Sequence, residues 1–349
     1  MLTSTRKFVL LLLCCVLVLA LALGGCGKAP ETTPADEAKE EAPEETPQET
    51  LVLRLAEVQP EDYPTTIGDK EMARIVEEKT NGRIKIEVYA GGQLGDEKSV
   101  IEAVQLGGID FARVNSQPLS EFTKSLGVFS LPYLFDNEDH FWKVMNGPIG
   151  EEILADFEEN DMIGLTYYDN GSRSFYNTKR EVKSPADMKG MKIRVQQSEL
   201  MVKLVECLGA SATPMPFGEV YSALQTGVID GAENNFPSYL TTSHYEVAKY
   251  FTLDQHTRVP EVVIASKVLW DKLSEEDRAI IKEAAVASQE VQREAWKEYE
   301  KVAEEEVRAA GCIITEVDDL KEWQDAMAPL YEMYQEEFGE WIERIRAAR

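Results

Sequence analysis

Val100-Ile-Glu-Ala-Val-Gln-Leu-Gly-Gly-Ile-Asp-Phe-Ala112 and Val220-Tyr-Ser-Ala-Leu-Gln-Thr-Gly-Val-Ile-Asp-Gly-Ala232 lie 120 positions apart, align without a gap and match at seven of thirteen positions. Each copy reads as a helix with apolar residues three and four apart, stopped by a glycine (Gly107, Gly227) and followed by a short apolar strand. Chance recurrence of ordinary helix-stop chemistry would also explain the Gly-to-Asp turn, but such turns rarely share the preceding helix as well. A helix-to-strand unit built twice implies two similar α/β lobes with a cleft between them. Ligands of open α/β sheets bind at the carboxyl ends of the strands. At those ends the sequence places Arg113-Val-Asn115 after the first copy and Glu233-Asn-Asn235 after the second.

The flanking segments repeat the same order. Leu51–Val58 alternates like a strand, Thr66–Lys79 carries Ile67, Met72, Ile75 and Val76 on one helical face, Asn81-Gly82 stops it, and Arg83–Tyr89 alternates again. In the second half Lys192–Val195 reads as strand, Ser198–Leu208 as helix and Ser211–Pro214 as strand, ahead of the second repeat. Met162–Tyr168 and Arg173–Asn177 read as strands able to cross between lobes. Ser274-Glu-Glu-Asp277 is a capping box from which a helix extends towards Gly311, with Trp296, Tyr299 and Val302 as core contacts. Unbroken, it would run about 50 Å and brace both lobes. The expected organisation is 51–170 mainly first lobe, 171–265 mainly second lobe, and 266–349 as bracing C-terminal helices.

The N-terminus sets the compartment. Arg6 and Lys7 precede an apolar run from Phe8 to Leu23 that ends in Gly24-Gly25-Cys26, the pattern of a bacterial lipoprotein signal peptide over 1–25 with Cys26 as the lipidated residue. The run is short for a membrane span, although an uncleaved anchor helix would leave the domain on the same side. Gly27–Thr50 has eight acidic residues, two lysines and four prolines, so segment 26–50 is expected to be a disordered acidic linker. A net charge of −27 argues against nucleic acid and anionic lipid headgroups as partners. Cys207 and Cys312 allow one disulfide, but Cys207 shares an apolar helical side with Leu204 and Leu208, which suits a free thiol.

No His-Glu-x-x-His, Gly-x-Ser-x-Gly, phosphate loop or Gly-x-Gly-x-x-Gly is present, and His140, His244 and His256 lack paired ligand spacing. The sequence therefore calls for neither an enzyme nor a cofactor or metal. Binding groups are easier to nominate. Arg173, in Asn170-Gly-Ser-Arg173-Ser-Phe, and Arg194, in Lys189-Gly-Met-Lys-Ile-Arg194-Val, each stand in a strand-like segment beside glycine. A guanidinium there can hold a carboxylate through two parallel hydrogen bonds, while a structural ion pair is the competing use.

Ser184-Pro-Ala-Asp-Met-Lys-Gly-Met-Lys-Ile-Arg-Val195, Pro214-Met-Pro-Phe-Gly-Glu-Val-Tyr-Ser-Ala-Leu-Gln-Thr-Gly-Val-Ile-Asp-Gly-Ala-Glu-Asn234, Ala90-Gly-Gly-Gln-Leu-Gly95 and Leu131-Pro-Tyr-Leu-Phe135 together resemble the DctP-type solute-binding proteins of tripartite ATP-independent periplasmic (TRAP) transporters. The resemblance runs from about Leu51 to the C-terminus. It implies two Rossmann-like lobes of the type II periplasmic-binding-protein kind, joined by crossing strands and a long bracing helix and closing over an organic acid. On the family pattern Arg194 is the principal carboxylate clamp, Arg173 a second cationic contact, Asn234 a hydrogen-bonding partner of the acid group, and Phe217 packs on the ligand body.

Sialate-binding members carry an acidic residue where this chain has Asn115, which speaks against sialate. Ala56–Thr65, Arg113-Val-Asn115, Glu233-Asn-Asn235 and Asp254-Gln-His256 resemble the subgroup that takes hexuronates and related sugar acids. Glu57, Asn115, Glu233, Asn235 and His256 offer hydrogen-bonding groups for several hydroxyls; each could instead serve a turn, a cap or a lobe-bracing bond. The resemblance implies delivery of the captured acid to a small and a large membrane permease subunit. The alternatives are a C4-dicarboxylate or other carboxylate binder, a sensory receptor for such an acid, and a secreted lyase or hydrolase.

Overall fold

The computed structural model describes residues 50–349, and Cys26 with its leader and acidic segment lies outside the described residues. Residues 48–349 form one compact unit. Twelve strands are present among the described residues: β1 Leu51–Ala56, β2 Ile84–Tyr89, β3 Phe111–Asn115, β4 Met162–Tyr168, β5 Ser172–Asn177, β6 Lys192–Val195, β7 Ser211–Pro214, β8 Gly231–Asn234, β9 Tyr250–Leu253, β10 Thr257–Arg258, β11 Glu261–Ser266 and β12 Ile313–Glu316. The first sheet has the order β2-β1-β3-β11-β4, and the second β12-β9-β5-β8-β6-β7 with β10 against β5. Dropping the edge strand β12, the second sheet repeats the first, with β7, β6, β8, β5 and β9 in place of β2, β1, β3, β11 and β4. The architecture is thus the mixed α/β, two-lobed type that the sequence implies.

The repeat explains the likeness atom by atom. Gly107 and Gly227 both adopt left-handed φ, +75° and +73°, which glycine reaches without steric cost. The Ala103 carbonyl accepts from the Gly108 and Ile109 amides, and the Ala223 carbonyl from those of Val228 and Ile229. The following aspartates then each fasten the neighbouring strand. Asp110 accepts from the Arg54 amide on β1 at 2.8 Å, and Asp230 from the Lys192 amide on β6 at 2.9 Å. Helix, turn and sheet register are fixed by the same contacts in both lobes.

Strand exchange ties the lobes together. The chain leaves the first sheet after β4, turns at Asp169–Gly171 and enters the second as β5. It returns through β10 to β11, which runs antiparallel between β3 and β4 of the first sheet. This return strand lies in the stretch expected to be mainly second lobe, and its apolar run Val262–Ala265 is buried on both sides of the sheet. Residues 313–316 similarly join the second sheet from the C-terminal segment.

The helix Glu275–Ala309 is unbroken over 35 residues, and Ser274 caps it by accepting from the Asp277 amide. Ile281, Ala284 and Ala285 pack in the first lobe's core, and Ala303 and Val307 in the second's. Between them, Gln292 brackets the crossover with two hydrogen bonds to the Asp169 backbone, 2.7 and 2.9 Å. Trp296 is buried and Tyr299 bonds Thr241, but Val302 is 43% exposed, because Ala303 takes the core-facing position. Cys207 and Cys312 are free thiols. No helix among the described residues is long and apolar enough to cross a membrane.

Helix Pro64–Lys79 crosses this brace closely at Gly68, where an added Cβ would stand 2.8 Å from Gln292 Cβ and 2.9 Å from the Tyr168 ring. Gly68→Leu is expected to force the helices apart and cost about 1–3 kcal/mol in urea unfolding. Unchanged stability would show that this crossing does not hold the brace.

Candidate functional site

The strands that the repeat duplicates end facing one another. Their carboxyl ends, with the turns after β1 and β6, line a narrow cavity bordered by Arg113, Asn115, Arg173, Phe217 and Asn234 together with Val58, Gln59, Glu97, Asn170, Gln196, Ser238 and Glu261. Five sequence-nominated residues therefore meet there. Glu57, Glu233, Asn235 and His256 stand behind the lining and hold it, and Arg194 lies just outside it.

Each lobe carries one arginine–glutamate pair across an antiparallel strand pair, with the signs exchanged. Arg113 on β3 donates to Glu261 on β11 at 2.7 Å, whereas Glu233 on β8 accepts from Arg173 on β5 at 2.5 Å. The registers Val263↔Arg113 and Phe175↔Glu233 make these positions equivalent in the two sheets. The surroundings then amplify the difference. Arg113 is also chelated by both oxygens of Glu57 and lies 3.8 Å from Glu97, so three carboxylates share one guanidinium. Arg173 has Glu233 and Asn234 Oδ1 as side-chain partners, and Arg194 is the second cation on its side. One wall of the cleft is anionic and the other cationic.

Arg194 differs from the other two arginines. It is 2% exposed, and its Nε and Nη2 donate to the Met215 carbonyl at 3.1 and 2.8 Å. Among the described residues it makes no ion pair, and Nη1 has no partner. Burial lowers its pKa, against the opposing pull of the Glu233 charge, and the Arg173 charge adds to the lowering.

The other groups titrate according to their wall. Burial and the nearby Glu261 charge raise Glu97 to about 7, against the hydrogen bond its carboxylate accepts from the Asn115 amide at 2.8 Å. Burial would raise Glu233 too, but Arg173 and His256 outweigh it and bring it down to about 2. His256 is depressed by burial, yet Asp254 at 2.7 Å and Glu233 lift it to about 9. Its ring stacks on Phe175 at 4.2 Å. Asp254 thus holds the His256 ring, whose Nε2 stands 3.6 Å from Glu233, and Glu233 in turn holds the cavity-lining Arg173 guanidinium.

Asn115 and Asn235 are again equivalent. Each caps the short helix that follows, accepting from the Gln117 and Ser238 amides. Asn115 Nδ2 also donates to Glu261 at 2.8 Å, and Asn235 Nδ2 to Asn170 Oδ1 at 2.7 Å. Sequence reasoning missed Glu97, Glu261, Asn170, Gln59 and Gln196. Signals existed for three of them: Glu261 is a lone acid in the apolar run from Val259 to Ala265, and Gln59 and Gln196 follow strands whose carboxyl ends were already suspect. Glu97 looks like an ordinary first-turn acid of the helix Glu97–Gln105.

Two lobes exchanging strands around a polarised, buried cleft define a solute-binding protein. Residues 55–337 match the family model DctP, bacterial extracellular solute-binding protein, family 7. A solute-binding protein of Chromohalobacter salexigens is 40% identical over 283 residues, 81% of this chain and 84% of that one. Two solved structures superpose with a TM-score of 0.83. One is a TRAP periplasmic solute-binding protein of Bradyrhizobium in complex with α/β-D-galacturonate, 43% identical, covering 84% of this chain and 99% of the other. The second, from Pseudomonas putida with bound D-glucuronate, is 38% identical and covers 85% and 97%. The chain belongs to the DctP family of TRAP solute-binding proteins, which are extracytoplasmic substrate-binding components of transporters.

The raised Glu97 gives a pH test. A carboxyl that titrates higher when folded penalises the native state as it ionises, from about 4.5 upward, with the full cost present above about 7. Glu97→Gln should therefore raise the melting temperature of the ligand-free protein at pH 8 and change it little at pH 4. An equal effect at both would show that Glu97 carries no buried-charge penalty.

Proposed function

We propose that this protein captures a hexuronate, such as D-galacturonate or D-glucuronate, or a related sugar acid, by cleft closure and hands it to TRAP membrane permease subunits. The observation that carries this reading is Arg194, a buried guanidinium that makes no ion pair among the described residues. An unpaired buried charge is costly, and a ligand carboxylate removes the cost while gaining charge-assisted hydrogen bonds. Arg173 and Asn234 complete the acid-binding side, and Phe217 packs against the sugar body. Arg113, held by Glu57 and Glu261, braces the opposite wall with Asn115. Glu233, Asn235 and His256 position these groups rather than contact the ligand.

Charge polarity selects the rest of the ligand. The wall across from the arginines carries Glu97 and Glu261. A second carboxylate would meet like charge there, whereas hydroxyls find acceptors, which favours a sugar acid over a C4-dicarboxylate. Relatives with bound galacturonate and glucuronate support the same choice. Closure is favoured by contacts that only the closed state makes, and the closed form is what the permease recognises. The protein acts by binding without chemical turnover. Cys26 is proposed to carry the lipid that tethers it outside the cytoplasm.

Thermal-shift measurement with hexuronates, aldonates, C4-dicarboxylates and 2-oxo acids tests this. Hexuronates should stabilise the protein, by about 2.7 kcal/mol when ligand is at a hundred times Kd. Arg194→Ala should abolish the shift, and Arg194→Lys should weaken it because the two-pronged geometry is lost. Stabilisation by C4-dicarboxylates alone, or an undiminished shift in Arg194→Ala, would overturn the proposal.

A further inference from the structure

The cavity holds two side chains that its own architecture leaves idle. Gln59 and Gln196 are 7% and 5% exposed, both line the cavity, and the Oε1 atom of each is buried without a hydrogen-bond partner. Among the described residues Nε2 of neither makes a hydrogen bond, so exchanging oxygen and nitrogen in either amide changes nothing. The neighbouring Arg113, Asn115, Arg173 and Asn234 are all engaged. Their backbones are anchored: the Gln59 backbone N–H donates to the Glu57 carboxylate at 2.7 Å, its backbone carbonyl accepts from the Gly91 N–H at 2.7 Å, and the Gln196 backbone carbonyl accepts from the Ser198 N–H at 2.8 Å.

Buried side-chain amides that stand on an anchored backbone and find no partner in the fold need one from elsewhere. We infer that Gln59 and Gln196 are the specificity-determining pair that reads the hydroxyls of the ligand. This rests on the sugar-acid reading above and adds which residues enforce it. They follow β1 and β6, equivalent strands of opposite lobes, so a ligand satisfies both only when the cleft is shut. A neutral amide oxygen accepts from a hydroxyl, and its NH2 donates to a hydroxyl or ring oxygen. A carboxylate cannot satisfy the acceptor, and an apolar ring satisfies neither group. Asn170 Nδ2, also lining the cavity and unpartnered, offers one more donor. Discrimination built on buried polar groups is steep, because an analogue lacking the hydroxyl leaves them unpaired.

Isothermal titration of wild type, Gln59→Met, Gln196→Met and the double variant decides it, using D-galacturonate, D-glucuronate and the hydroxyl-free ring acid cyclohexanecarboxylate. Each methionine variant should lose about ten- to a hundredfold in hexuronate affinity, and the double variant more. Affinity for cyclohexanecarboxylate should hold or rise. Hexuronate binding within twofold of wild type in both single variants overturns the inference, as does an equal loss for all three acids, the mark of a merely structural role. If a methionine variant does not fold, the alanine variant at the same position gives the same read-out. Failure of wild type to bind either hexuronate is a different result and removes the sugar-acid reading together with its readers.

Discussion

A buried guanidinium without a carboxylate bound to it is a costly arrangement, and Arg194, 2% exposed and in no ion pair among the described residues, is in that state beside the cleft. Removing a charge from water costs several kcal/mol unless it is paired. Arg113 and Arg173 are paired within the fold, to Glu57 and Glu261 and to Glu233. Arg194 has only the Met215 carbonyl, which neutralises nothing. That guanidinium is held in place by β6 and by its two hydrogen bonds to the Met215 carbonyl.

Duplication supplies the scaffold and broken symmetry supplies the selectivity. Two copies of one helix–turn–strand unit bring equivalent strand ends together, and the exchanged strands β5 and β11 make each lobe depend on the other's chain. Had the Arg–Glu pairs kept the same sign in both lobes, the walls would be alike. Because Arg113 faces Glu261 while Glu233 faces Arg173, with Glu57 and Glu97 added on one side and Arg194 on the other, the two walls differ in charge, and the proposed ligand orientation, acid end to the second lobe, follows from that difference. The long helix packs into the cores of both lobes, and its Gln292 brackets the crossover between them.

Most of this frame was legible in the chain. The repeat located both cleft-facing strands, and the boundaries of β6, the helix Glu199–Cys207 and β7 follow the alternation and periodicity closely. The return crossing through β10 to β11 was not legible, since Val262–Ala265 is a continuous apolar run and periodicity cannot say which sheet it joins. Val302 was misplaced because one residue of rotation on a 35-residue helix exchanges a core position for an exposed one. At the site, the arginines announced themselves as charges in strands. Glu57, Glu233 and His256 were legible as polar groups at the right place, but which of them line the cavity depends on pairings that only three dimensions contain. Gln59 and Gln196 carry no charge and match no motif; their importance is visible only once every neighbour has found a partner.

The account turns on where the ligand's acid group sits. A crystal structure of this protein with D-galacturonate bound measures that directly. The account predicts a closed cleft with the carboxylate oxygens within hydrogen-bonding distance of Arg194 and Arg173, and the hydroxyls towards Glu97 and Glu261. A carboxylate seated against Arg113, or a sugar bound outside the interlobe cavity with Arg194 still unpaired, would contradict it.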